Sequence, residues 1–245
     1  METVIGLALP FIGTALGALL VFLLRGGLRR GVERSLLGFA AGIMAAASVW
    51  SLLLPALEQS QNLGAFRFLP AVAGFWIGVM FLRFGELLPQ QERNGAKRQT
   101  QRMALTVVLH NIPEGMAVGV AFAGVLCGSP GATLAGALSL SLGIALQNIP
   151  EGAIISMPLY AGGVRRGRAF CLGVLSGAVE PLAAGLTLLT AKIVAPMLPY
   201  LLGFAAGAMI CVAVEELIPQ TAQSRSGTLW FTLGFTLMLA LDVVF

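Results

Sequence analysis

Two hexapeptides carry the chemistry of this chain. HNIPEG at residues 110–115 and QNIPEG at 147–152 put polar side chains and a carboxylate inside otherwise apolar sequence. On a helix, His110 and Glu114 share a face at i,i+4, and Asn111 and Glu114 share it at i,i+3. Gln147 and Asn148 stand in the same relation to Glu151. Pro113 and Pro150 each remove a backbone N–H and press on the carbonyl four residues back, at Leu109 and Leu146, which predicts a kink with freed oxygens beside the polar face. Two such faces on neighbouring antiparallel helices would gather carboxylate, amide and imidazole groups, a donor set for a divalent metal ion.

Glu180, just before Pro181, adds a third acid to Glu114 and Glu151. An ionised acid near the centre of a membrane helix costs about 2.5–3.5 kcal/mol on insertion scales. Three separate burials need compensation, and a shared divalent cation supplies it.

The elements that must position these groups are membrane spans. The chain has 245 residues, 57% hydrophobic and 11% charged, and its mean hydropathy of +0.89 lies outside the range of soluble domains. With about 20 apolar residues needed per crossing, it divides into eight spans, near 3–24, 35–57, 68–89, 103–126, 132–159, 169–190, 197–219 and 228–245. The expected fold class is all-α, a polytopic membrane protein, with residues 1–245 forming a single transporter domain. The first span lacks a basic leader and a small-residue cleavage site, and reads as a retained helix, not a signal peptide. Cys127, Cys171 and Cys211 are scattered and read as packing residues.

Basic residues orient the spans. Loops after odd-numbered spans hold twelve: Arg25, Arg29, Arg30, Arg34, Arg93, Lys97, Arg98, Arg102, Arg165, Arg166, Arg168 and Arg225. The opposite loops hold two, Arg67 and Lys192. The positive-inside rule then puts the former in the cytoplasm and both termini outside, in a multi-pass protein of the cell (inner or plasma) membrane. Topology accounts for the pI near 9.4, so the charge implies the lipid bilayer as partner and no nucleic acid.

An internal repeat underlies the spans. LLGFAAG occurs at 36–42 and again at 201–207, each copy followed by a methionine (Met44, Met209) and, near the end of its span, a proline (Pro55, Pro219). Gly6-x-x-x-Pro10 in span one matches Gly177-x-x-x-Pro181 in span six, which aligns Glu180 with Leu9. Spans 1–3 thus relate to 6–8, and span 4 to 5, with opposite directions across the membrane. Such an inverted-topology repeat is a signature of secondary transporters, whose sites lie near the midplane where the repeats meet. Gly38, Gly42, Gly203 and Gly207 read as close helix contacts.

In these motifs and in its eight-span topology the chain resembles the Zrt/Irt-like (ZIP) divalent metal transporters, most closely the prokaryotic GufA-like branch. The resemblance implies a transport site, often binuclear. One position would use Met44, His110, Glu114, Gln147 and Glu151, and the other Asn111, Glu114, Asn148, Glu151 and Glu180, with the two motif glutamates bridging. It implies Zn²⁺ as transported substrate and not as a cofactor, with Cd²⁺, Fe²⁺ and Mn²⁺ left open, and no enzyme activity. A homodimer is also left open. His110 is the only histidine, and the loop QQERNGAKRQTQR is short and basic, unlike the histidine-rich loop of many relatives. Gln147 and Asn148 stand where some relatives place histidine and aspartate.

The remaining acids sort by side. Glu58 and Asp242 lie at the outer ends of spans two and eight, where they could attract cations; Glu86, Glu215 and Glu216 lie near the inner ends of spans three and seven, on a release path. The plainer reading of each is a solvated acid or one paired with an arginine such as Arg83. Two other functions fit less well. A proton-coupled carrier of a small organic solute would explain midplane acids but not the duplicated amide-proline-glutamate faces. An intramembrane metalloenzyme would need a second histidine ligand, as in His-Glu-x-x-His.

Overall fold

A computed structural model describes residues 1–23, 30–86, 96–191, 195–221 and 225–244, the side chains of 85, 86, 96–110 and 225 excepted. The described residues form helices and turns, with no strand among them. In chain order the helical segments are α1 (Glu2–Leu23), α2 (Arg30–Gln59), α3 (Phe68–Glu86), α4 (Ala96–Cys127), α5 (Leu134–Ala161), α6 (Arg166–Leu189), α7 (Ala195–Thr221) and α8 (Arg225–Val244). Every expected span has its helix. Six are long and apolar enough to cross a membrane, while α3 and α4 contribute shorter apolar stretches, Phe68–Phe84 and Asn111–Cys127, among the described residues. The chain is a multi-pass, all-helical membrane protein.

The pairing of helices follows the repeat. α2 packs most extensively on α8 and α7 on α3, while α1 packs on α5 and α6 on α4. Exchanging each helix for its repeat mate turns one pair into the other. Glycine makes these contacts close. A Cβ on Gly42 of α2 would run into the Phe231 carbonyl of α8, and one on Gly207 of α7 would run into the Phe75 carbonyl of α3. Gly38 and Gly203 meet the backbones of Gly227 and Ala71 in the same way. The correspondence holds from the other side too: Gly234 of α8 faces the Phe39 carbonyl as Gly78 of α3 faces that of Phe204. Without a hydrophobic drive between helices in lipid, such backbone approach is what gains dispersion contact.

Two local departures from regular helix also respect the repeat. α2 widens into a π-helix over Ser48–Leu53, and α7 does so over Ala213–Leu217. In each, the residue before the proline donates its N–H five residues back, Leu54 to Val49 and Ile218 to Ala213. The widened turn makes room for Pro55 and Pro219, whose rings would otherwise press on the carbonyl four residues back.

Span six differs from the single helix expected. It is two helices, Arg166–Gly177 and Val179–Leu189, joined at Ala178. Pro181 cannot donate to the Gly177 carbonyl, and the Ala178 N–H bonds Leu175 three residues back at 3.2 Å, so the ladder is interrupted immediately before Glu180. α4 and α5, by contrast, run unbroken through Pro113 and Pro150. Of the cysteines, Cys211 is buried as expected, whereas Cys127 and Cys171 are exposed; a small thiol on a helix surface meets lipid as readily as core.

Candidate metal centre

The described acids and amides of the motifs meet where α4, α5 and α6 converge. Asn111, Glu114, Gln147, Asn148 and Glu180 are all buried to 1% exposure or less. Gln147 donates its Nε2 to Glu114 Oε1 at 2.8 Å, joining α5 to α4. Asn148 donates its Nδ2 to Glu180 Oε2 at 2.8 Å, joining α5 to α6. Asn111 donates its Nδ2 to the Ser176 carbonyl at 2.9 Å, joining α4 to α6 beside the helix break. Glu151 is half-buried and lies within electrostatic reach of Glu114 and Glu180.

The last residue of each motif explains how the helices come this close. A Cβ on Gly115 would collide with the backbone of Glu180, and one on Gly152 with the backbone of Thr14. The glycine of Pro-Glu-Gly therefore seats α6 against α4 and α1 against α5, directly beside each glutamate.

The amide orientations have a consequence for chemistry. With each NH₂ turned to a carboxylate or a carbonyl, the amide oxygens are left over. Among the described residues, five buried side-chain atoms have no hydrogen-bond partner: Asn111 Oδ1, Glu114 Oε2, Gln147 Oε1, Asn148 Oδ1 and Ser139 Oγ. Four of the five are oxygens of the two motifs. An unsatisfied buried polar group costs about 1–3 kcal/mol, and native proteins contain few of them. Buried lone pairs on the two motif helices, with no N–H or O–H aimed at them, suit a cation. The donor set fits a divalent metal ion as transported substrate, held by carboxylate and amide oxygens.

Other expected site residues fall as follows. Met44 is buried at 1% exposure in the main apolar core, on the helix that touches α5. The side chains of His110 and Glu86 lie outside the described residues, although both belong to helices by their backbones. No three described His, Cys, Asp or Glu side chains converge closely enough to hold an ion by themselves; the acids are interleaved with amides.

At one end of the bundle Glu58 and Asp242 share the wall of a cavity of about 270 Å³, with Ser51, Gln59, Thr133 and Leu202 among its other residues. Ser51 donates to Asp242 Oδ1 at 2.8 Å. Gly131 carries φ +74°, and a Cβ there would meet the Glu58 carboxylate, so the α4–α5 turn closes tightly on that acid. At the other end Glu215 pairs with Arg83 at 3.0 Å on the exposed surface, the arginine pairing anticipated for an acid at a span end.

Two contributors escaped the reading of the sequence. Thr14 of α1 is buried and donates to Glu180 Oε1 at 3.3 Å, and the Pro10 carbonyl accepts from Asn148 Nδ2 at 3.3 Å. The only signal was Gly6-x-x-x-Pro10, which marks the helix as special without identifying a threonine four residues on.

The profile of the family described as "ZIP Zinc transporter" matches residues 89–242. Zinc transporter GufA of Myxococcus xanthus is 36% identical over 94% of this chain and 93% of its own length. Zinc transporter ZIPB of Bordetella bronchiseptica is 36% identical over 98% of this chain and 80% of its own. Zinc transporter ZIP11 of Xenopus tropicalis is 34% identical over 99% of this chain and 97% of its own. Likeness of this extent covers both motif helices and every span, and the chain therefore belongs to the ZIP family, on its GufA-like branch, as a multi-pass membrane transporter of divalent metal and not an enzyme.

Proposed function

We propose that the transported ion is Zn²⁺, that it moves into the cytoplasm across the cell membrane, and that residues 1–245 act as one transporter domain. The ion binds at the junction of α4, α5 and α6 in two adjacent positions. One is built on His110, Glu114, Gln147 and Glu151 with Met44 beside them, the other on Asn111, Glu114, Asn148, Glu151 and Glu180. The observation that carries this reading is the set of four buried, unpartnered oxygens contributed by the two motifs. Zinc, and not a harder ion, is favoured by the single imidazole, which suits first-row metals better than Ca²⁺ or Mg²⁺, and by the names of the relatives.

In this mechanism the cavity holding Glu58 and Asp242 faces outside and concentrates cations. The ion loses water as the motif carboxylates and amide oxygens replace it. The α1/α4/α5/α6 group then shifts against α2/α3/α7/α8, and the ion leaves past Glu215, Glu216 and Glu86. The surrounding bilayer and a second copy of the chain complete the assembly.

Uptake into proteoliposomes, measured for Zn²⁺, Cd²⁺, Fe²⁺ and Mn²⁺, tests the assignment. Saturable Zn²⁺ uptake that Glu114→Gln abolishes is the expected result. Preference for another ion would replace zinc, and full uptake by the Gln variant would remove the motif site.

A further inference from the structure

Helix α1 bears no acid, amide or imidazole in its apolar stretch, yet it touches the second metal position at two points. The Thr14 hydroxyl lies 3.3 Å from Glu180 Oε1 and 3.4 Å from the Pro10 carbonyl. The Pro10 carbonyl lies 3.3 Å from Asn148 Nδ2, whose other acceptor is Glu180 Oε2 at 2.8 Å. Each oxygen of Glu180 is thus held by one neutral donor, and the amide of Asn148 is gripped between two acceptors.

We propose that Thr14 and the Pro10 carbonyl are the positioning elements of the second metal position, fixing the Glu180 carboxylate and turning Asn148 so that its oxygen, not its nitrogen, is offered to the ion. This rests on the metal-site reading above. The argument for Asn148 is one of exclusion. If the amide were reversed, its oxygen would face the Glu180 carboxylate and the Pro10 carbonyl, three acceptors without a proton among them, and its NH₂ would face the cation. The buried, partnerless state of Asn148 Oδ1 is the consequence of the orientation that avoids this. For Glu180 the argument is one of constraint. A carboxylate at a helix break has rotamer freedom, and the Thr14 hydroxyl removes it.

The backbone is shaped for this contact. A Cβ on Gly177, at the end of the first half of α6, would strike the Thr14 side chain at 2.7 Å from Oγ1, and a Cβ on Gly152 would strike the Thr14 carbonyl. Glycines on both facing helices therefore admit α1 at this one level. Groups that orient metal ligands without touching the ion typically change affinity by roughly 10- to 100-fold when removed.

The test compares purified Thr14→Val and Thr14→Ser with the wild type by Zn²⁺ titration, with elemental analysis of ions bound per chain. Val keeps the shape of Thr and loses the hydroxyl. The expected result is a loss of roughly 10- to 100-fold in affinity at the second position, with the other position unchanged, and recovery of binding in Ser. Wild-type affinity and stoichiometry in a folded Val variant would overturn the proposal. Equal weakness in Ser and Val would also overturn it, since a retained hydroxyl would then restore nothing. If Val does not fold, Thr14→Ala against Thr14→Ser makes the same comparison, since both lack the methyl. Failure of the metal-site reading itself looks different: the wild type would then bind no Zn²⁺ that depends on Glu114.

Discussion

The α2/α3/α7/α8 group and the α1/α4/α5/α6 group are closed by the same device, glycine against a neighbouring carbonyl, as at Gly42 and Phe231 in one and Gly152 and Thr14 in the other. What they bury differs. Among the described residues the two fully buried acids, Glu114 and Glu180, belong to the second group, with Asn111, Gln147 and Asn148 around them. The first group fills its interior with Ala40, Ala41, Ala205, Ala206 and Met209. Close packing is thus a property of the repeat that both groups share, and the chemistry is an addition to one of them. An addition of this kind should be separable: some substitutions should destroy either group alike, and others should silence the site while leaving the packing whole.

The largest effect is expected where the shared device fails. Gly42→Val and Gly152→Val each drive a branched side chain into neighbouring backbone, costing about 1–3 kcal/mol, occasionally more. Both should lower thermal stability and the yield of monodisperse protein. A tolerant Gly152 beside an intolerant Gly42 would mean that the two groups are not built alike.

Next in size is Glu151→Gln, which keeps the volume and removes a charge from the site. Zn²⁺ affinity and uptake should collapse while thermal stability stays near that of the wild type, because Glu151 is only half-buried. Wild-type uptake by a well-folded variant would sink its bridging role.

A smaller, partial effect is expected for Glu180→Leu. Its repeat mate Leu9 shows that an apolar side chain suits this level of the fold. The two donors it strands, Asn148 and Thr14, both keep the Pro10 carbonyl within 3.4 Å. Without metal the variant should be as stable as the wild type, or more so by about 1–3 kcal/mol, since a desolvated carboxylate is gone. It should bind one ion fewer per chain and transport more slowly. Unchanged stoichiometry by elemental analysis would remove Glu180 from the site, and a variant that does not fold would make it a structural acid.

The last prediction leaves transport untouched. A cysteine at Asn62, in the exposed 3-10 turn Gln61–Phe66, should react with impermeant reagent from outside, and one at Gln99 should not. The reverse pattern would invert the direction of transport.

Much of this was legible in the sequence, for reasons that differ by residue. LLGFAAG at both 36 and 201 announces matched helices, because a repeated pattern of small residues can pack only in a repeated way. The i,i+3 and i,i+4 spacings in HNIPEG and QNIPEG place polar groups on one face by helix geometry alone. The π turns at Ser48 and Ala213 were not legible, since a proline near the end of a span is equally compatible with a kink, and only packing on neighbours selects the widened turn. Nor was the break at Ala178, because Pro10 at the matching level leaves α1 continuous.

Composition, charge asymmetry, repeat and motif spacing by themselves determined a polytopic helical transporter with carboxylates and amides gathered on facing motif helices. Those features act through hydropathy and helix periodicity, which are local and readable along one chain. Tertiary structure alone decided which way each amide faces, leaving its oxygen free, that Glu114 and Glu180 are sealed while Glu151 is half open, and that Thr14 holds Glu180. Each of those depends on which donor or acceptor arrives from another helix, 166 residues away in the case of Thr14 and Glu180, and a partner at that distance leaves no periodic trace in the sequence of either helix.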